Sequence, residues 1–132
     1  MTSQVPPDLL YSADHVWVHR AGDRVRLGIT HFAQTSLGEL VLARMSPAGT
    51  AVVAGESVGE VESLKSTSDI YAPLSGTVAL VNPMLEECPE LVNSDPYGEG
   101  WLCELEVGDV DYSATALVSA EEYRSKIGKE DA

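Results

Sequence analysis

The chain has 132 residues, 44% of them hydrophobic and only 6% aromatic, enough for one globular domain with a modest, mainly aliphatic core. Acids outnumber lysines and arginines 21 to 8, and the net charge of −13 would repel nucleic acid and anionic membranes and favour basic protein surfaces. Cys88 and Cys103 form neither a C-x-x-C pair nor a disulfide framework, and no apolar run approaches a membrane span, so reduced thiols in a cytoplasmic protein are expected.

Met1 to Asp8 is polar, contains Pro6-Pro7 and lacks the basic and apolar regions of a signal peptide, so it reads as a loosely held, flexible arm. Leu9-Leu10-Tyr11 can dock back on the body. His15 to His19 alternates, which predicts a strand with Val16 and Val18 on one face and His15, Trp17 and His19 on the other. On a strand the two histidines stand well apart with no third ligand beside them, so no metal site is expected. Ala21-Gly22-Asp23 turns the chain into a second strand, Arg24 to Ile29. Thr30 is placed to cap a short helix closed by Gly38. Strands follow at Glu39 to Met45 and Thr50 to Val53, separated by Pro47-Ala48-Gly49.

Ser57 to Leu64 and Ile70 to Val81 then flank five residues, Lys65 to Asp69, four of which are Ser, Thr or Asp. The pattern predicts a hairpin with a polar, exposed tip. Lys65 is the only lysine among the first 125 residues. A lysine there has a nucleophilic amine on a long, unbranched stem with room to swing, the geometry of a tethered arm; an ordinary solvated lysine fits the same pattern. A Schiff-base role would need a desolvated pocket, and the polar neighbours argue for a wet site.

Pro73-Leu74-Ser75-Gly76 makes a further turn, with Gly76 free to take positive φ, and Thr77 to Val81 is a strand ended by Asn82-Pro83. Leu85 to Leu91 has room for a helical turn or two despite Pro89, and residues 93 to 100 read as a long loop. Trp101 to Val107 is the last strong strand. Ser119-Ala120-Glu121-Glu122 is a capping box that opens a helix over 119 to 128, with Tyr123 and Ile127 as its apolar stripe. The sum is a mainly β chain of seven or eight short strands, a small sandwich or barrel. No G-x-x-x-x-G-K, G-x-S-x-G or H-E-x-x-H is present, and no catalytic constellation is legible.

Glu62-Ser63-Leu64-Lys65, Ser68-Asp69 and Pro73-Leu74-Ser75-Gly76 together resemble the lipoyl-attachment segment of the H proteins of the glycine cleavage system. The resemblance extends through His15-Val16-Trp17-Val18, Ala33-Gln34, Leu37-Gly38, Asn82-Pro83, Pro89 to Asn93 and Asp95 to Leu102, covering roughly residues 9 to 128. It implies a barrel–sandwich hybrid like other lipoyl domains, with short helices and a C-terminal helix. It implies one lipoyl-carrier domain over 1–132, a carrier rather than an enzyme, with lipoate in amide linkage to Lys65. The implied partners are the pyridoxal-phosphate-dependent decarboxylase (P protein), the tetrahydrofolate-dependent aminomethyltransferase (T protein) and dihydrolipoamide dehydrogenase (L protein). The arm would carry the aminomethyl group of glycine from P to T and be reoxidised by L. Glu62, Ser63 and Asp69 are implied as the residues by which a lipoate-attaching enzyme recognises the hairpin, and His31 and Phe32 as lining a cleft for the arm. The chain departs from the family at Val16 and His31, both usually acidic, and mildly at Leu64 and Ser66. An H-like protein that relays lipoate to other complexes, or a non-carrier interaction domain, are the other readings.

Overall fold

The computed structural model describes residues 5–131, with side chains through residue 128. The described residues form nine short strands in two antiparallel sheets. β1 (Leu10–Tyr11), β2 (Val16–Ala21) and β3 (Arg24–Ile29) lead into helix α1 (His31–Leu37). Then come β4 (Leu40–Met45), β5 (Ala51–Val52), β6 (Ser57–Ser63), β7 (Thr67–Tyr71) and β8 (Gly76–Val81). A short helix α2 (Leu91–Ser94), β9 (Cys103–Glu106), a 3-10 turn (Tyr112–Ala114) and helix α3 (Ala120–Asp131) complete it. The larger sheet runs β1-β2-β3-β9-β8-β5 and the smaller β4-β6-β7. The architecture is the mainly β barrel–sandwich hybrid that the resemblance implies, ending in the expected C-terminal helix. The inward faces of both sheets share one aliphatic core, with Val25, Leu27, Val58, Val61, Leu102 and Leu105 fully buried. No helix among the described residues is long and apolar enough to cross a membrane.

A second, aromatic cluster changes the reading of β2. Val16, Trp17 and Val18 are all buried, where alternation predicted Trp17 on an outer face. Trp17 does leave the aliphatic core, but Tyr11, Trp101, Tyr123 and Ile127 enclose it from the other side. Its indole N–H donates to the carbonyl of Pro96 at 2.9 Å. It fits because Gly28 stands opposite on β3, where a Cβ would lie 2.7 Å from the ring. His15 is not on β2 at all. It has φ 64°, held by its N–H donating to the Ser12 carbonyl and its own carbonyl accepting from Thr30 N–H.

Other expectations shift for local reasons. Residues 1–4 lie outside the described residues, but Val5 is buried in the aromatic cluster and its carbonyl accepts from Arg124, so the arm is not loose at that point. The hairpin tip is shorter than five residues, because Thr67, Asp69 and Tyr71 face out while Ile70 faces in, and β7 starts at Thr67. Gly76 does not have positive φ; glycine is required there because a Cβ would stand 2.5 Å from the Glu106 carbonyl. Residues 83–87 form turns, and the helical turn falls later, at α2. Val92 N–H bonds back to the Pro89 carbonyl, a place where proline's fixed φ starts a helix rather than interrupts one. At α3 the Ser119 hydroxyl accepts from Glu122 N–H, Tyr123 and Ile127 are buried, and the helix continues past Gly128 to Asp131.

Both cysteines are free. Cys103 is fully buried on β9, and that burial, with a smaller contribution from the charge of Glu104, pushes its thiol from 9.0 up to about 12. The folded chain therefore keeps this proton where the unfolded chain releases it. Its contribution to stability is full below pH 9 and is lost as pH rises toward 12. Urea unfolding at pH 7 and pH 10.5 should show this alkaline loss, and Cys103→Ala should reduce it.

Candidate functional site

The β6–β7 hairpin places the lysine. Glu62 pairs with Thr67, leaving Leu64, Lys65 and Ser66 outside the strands. All three are exposed, Leu64 at 79%. The tip is nevertheless ordered from below by Ser63, whose side chain is buried. Its Oγ accepts from Lys65 N–H at 3.3 Å and Ser66 N–H at 3.1 Å, while its backbone N–H donates to the Ser66 carbonyl at 2.8 Å. A side-chain oxygen thus takes the place of the carbonyl that usually closes a tight turn. Ser63→Ala should leave the strands intact and speed amide exchange at Lys65 and Ser66 roughly tenfold, measured by nuclear magnetic resonance.

The lysine stem lies over Gly38, the residue after α1. A Cβ at Gly38 would stand 3.3 Å from Lys65 Cε, and its φ of 85° also favours glycine. Asn93 fixes this spot by accepting from Leu40 N–H at 2.9 Å. It also donates to the Gly38 carbonyl at 2.8 Å and to Gln34 Oε1 at 3.0 Å.

A cleft of about 410 Å³ opens one residue away, at Leu37. One face of α1 (Phe32, Ala33, Ser36, Leu37) forms one wall. Ser68, Asp69 and Ile70 of β7 form another, and Asp14 and His15 close the end. It is apolar along the helix, with two carboxylates and an imidazole at its edges. The volume falls in the range of small-molecule sites, about 300–1,000 Å³.

The residues singled out from sequence separate here. Lys65 is at the tip, and Ser63 points inward beneath it. Glu62 is exposed on the outer face of the small sheet, where Glu60 pairs with Asp69 across β6 and β7. Asp69, on the edge strand, also borders the cleft, and Phe32 lines it. His31 is not among the lining residues. Its N–H donates to the Tyr97 hydroxyl at 3.0 Å, and its buried Nδ1 has no hydrogen-bond partner among the described residues. Burial raises the Tyr97 hydroxyl's pKa, with the bond from His31 N–H opposing it. Val16 is buried away from the cleft. Asp14, His15 and Gly38 were missed, because a left-handed turn at a histidine and a contact over a glycine leave no periodic signal.

The family model for the glycine cleavage H-protein matches residues 9–130. The glycine cleavage system H protein of Mycobacterium avium is 54% identical over 129 residues, covering 95% of this chain and 98% of that one. That of Mycobacterium tuberculosis H37Rv is 51% identical over 131 residues, with the same coverage. The crystal structure of a glycine cleavage system H protein from Mycobacterium marinum superposes with a TM-score of 0.82 at 40% identity, covering 94% of this chain and 99% of that one. The chain therefore belongs to the glycine cleavage H-protein family.

Proposed function

We propose that Lys65 carries a lipoyl group in amide linkage and that residues 1–132 act as one carrier domain, without catalysis of their own, in cytoplasmic glycine cleavage. What carries this reading is the placement of the one tip lysine: exposed, on a turn ordered by Ser63, with its stem over Gly38, the chain neighbour of Leu37 in the wall of a cleft with much apolar surface. The donor set fits the group. A primary amine in water is open to acylation, and the apolar wall from Phe32 to Leu37 suits a neutral, mainly aliphatic chain. When bound, a lipoyl group supplies a dithiolane that accepts the aminomethyl group at the P protein, yields it at the T protein and is reoxidised at the L protein.

The chain's own residues do the positioning. Ser63 holds the tip so that Lys65 projects the same way to every partner. Acylation removes the positive charge of Lys65, leaving the acids Glu60, Glu62 and Asp69 to dominate the surface beside the tip. Glu62 and Asp69 are the contacts for a lipoate-attaching enzyme, and Ser63 acts indirectly by fixing their spacing. Phe32 forms the cleft wall; His31, which does not line the cleft, takes no part. A tether keeps the reactive end at high local concentration at each docked site.

The test is the intact mass of the chain made in lipoate-replete cells. A single lipoyl increment mapped to Lys65, with glycine–CO2 exchange in the presence of P protein, is the expected result. An unmodified Lys65 where other lipoyl carriers are filled would overturn it.

A further inference from the structure

We propose that Gly38 is the saddle over which the Lys65 arm turns toward the cleft, and that Asn93 is the positioning residue that holds the saddle in place. The inference deepens the carrier reading and rests on it. Gly38 has φ 85° and ψ −168°, a backbone region open in practice only to glycine. A Cβ there would stand 3.3 Å from Lys65 Cε and 3.9 Å from Nζ. These are the two atoms next to which an amide on the lysine would form. The backbone angle alone does not account for the contact. Of the five positive-φ glycines among the described residues, Gly22, Gly49, Gly55 and Gly108 have nothing within 4 Å of the Cβ position. At Gly38 alone that space is taken, and what takes it is the end of the lysine.

Asn93 holds both sides of this corner, and its amide has only one possible orientation. Leu40 N–H can only donate, so it faces Oδ1; the Gly38 carbonyl can only accept, so it faces Nδ2. The other Nδ2 hydrogen goes to Gln34 Oε1. Gly38 N–H donates to the Gln34 carbonyl at 3.0 Å, so both polar groups of the glycine are fixed. The clamp is itself anchored. Leu40 is buried, and Val92, beside Asn93 on α2, is fully buried in the aliphatic core. Aspartate would keep the acceptor and lose both donors, and glutamine would be one methylene too long. The corner between α1 and β4 is therefore a fixed bed rather than a yielding loop. An arm laid on it crosses bare backbone and meets Leu37, the next residue along, which already lines the cleft. A bed set beforehand lowers the cost of ordering a flexible chain on it.

The first test uses the isotope-labelled full chain with Lys65 unmodified. Nuclear Overhauser contacts should join the ε-protons of Lys65 to the α-protons of Gly38; their absence overturns the proposal. Asn93→Asp should weaken these contacts severalfold, and unchanged contacts in the folded variant overturn the role of Asn93. The second test uses the lipoylated protein, charged from glycine by P protein and then separated from it. Gly38→Ala and Asn93→Asp should each lose glycine-derived label roughly fivefold faster than wild type. Gly55→Ala controls for backbone strain, since it also places a side chain at positive φ but in open space, and it should retain label like the wild type. Equal loss from Gly55→Ala would assign the effect to strain and overturn the saddle, as would equal retention by Gly38→Ala and wild type. A chain that takes no lipoate at Lys65 sinks the carrier reading and this role with it; a lipoylated chain with unaltered retention in the variants sinks this role alone.

Discussion

Trp17→Ala is expected to destabilise the fold by about 3–5 kcal/mol, the range for truncating a buried tryptophan, out of the roughly 5–15 kcal/mol that holds a chain of this size folded. Three losses combine. The side chain is 1% exposed, so its whole apolar surface leaves the cluster. The Pro96 carbonyl loses its donor. The space cannot close from the β3 side, because Gly28 has no side chain to move in. Urea unfolding should show a midpoint far below wild type with an unchanged slope. Trp17→Phe separates the terms: it keeps most of the volume, loses the hydrogen bond, and should cost about 1 kcal/mol more than the volume change alone. A midpoint within error of wild type for Trp17→Ala would mean the cluster contributes little.

Lys65→Arg is expected to abolish carrier function completely while leaving the melting temperature within a degree or so, since an exposed substitution of this kind is worth less than about 0.5 kcal/mol. Arginine preserves charge and approximate length. Its guanidinium stays protonated and is a poor nucleophile, so no amide forms. Intact mass should show no lipoyl increment, and glycine–CO2 exchange with P protein should fall to the level without carrier. A persisting increment would place the group on Lys126 or Lys129 and end the case for the hairpin tip. The pair of variants is complementary: one removes stability far from the tip, the other removes function with stability intact.

Much of the β framework was legible because it is local. Glycine and proline turns punctuate strands whose alternation sets one face inward, and Thr30, Gly38 and Ser119 mark helix ends by their own side chains or φ. The lysine tip was legible for the same reason. What escaped depends on contacts distant in sequence. Trp17 looked outward until residues 97–127 are folded over it. The cleft draws on three segments, around 14–15, 29–37 and 68–70, and no spacing rule joins them. The resemblance implied Phe32 and His31 together, but only Phe32 lines the cleft, and the His31 backbone N–H is taken up by the Tyr97 hydroxyl, a difference of one helical position that a sequence pattern does not resolve.

The aromatic cluster gathers both ends of the described chain. Val5 and Ile127 share it, Arg124 donates to the Val5 carbonyl, and Tyr11 exchanges backbone hydrogen bonds with Val118. The fold is buckled like a belt, and its two extremities are not spare lengths that fray alone. The stacked rings of Tyr11 and Tyr123 are the clasp, one contributed from each side of the buckle.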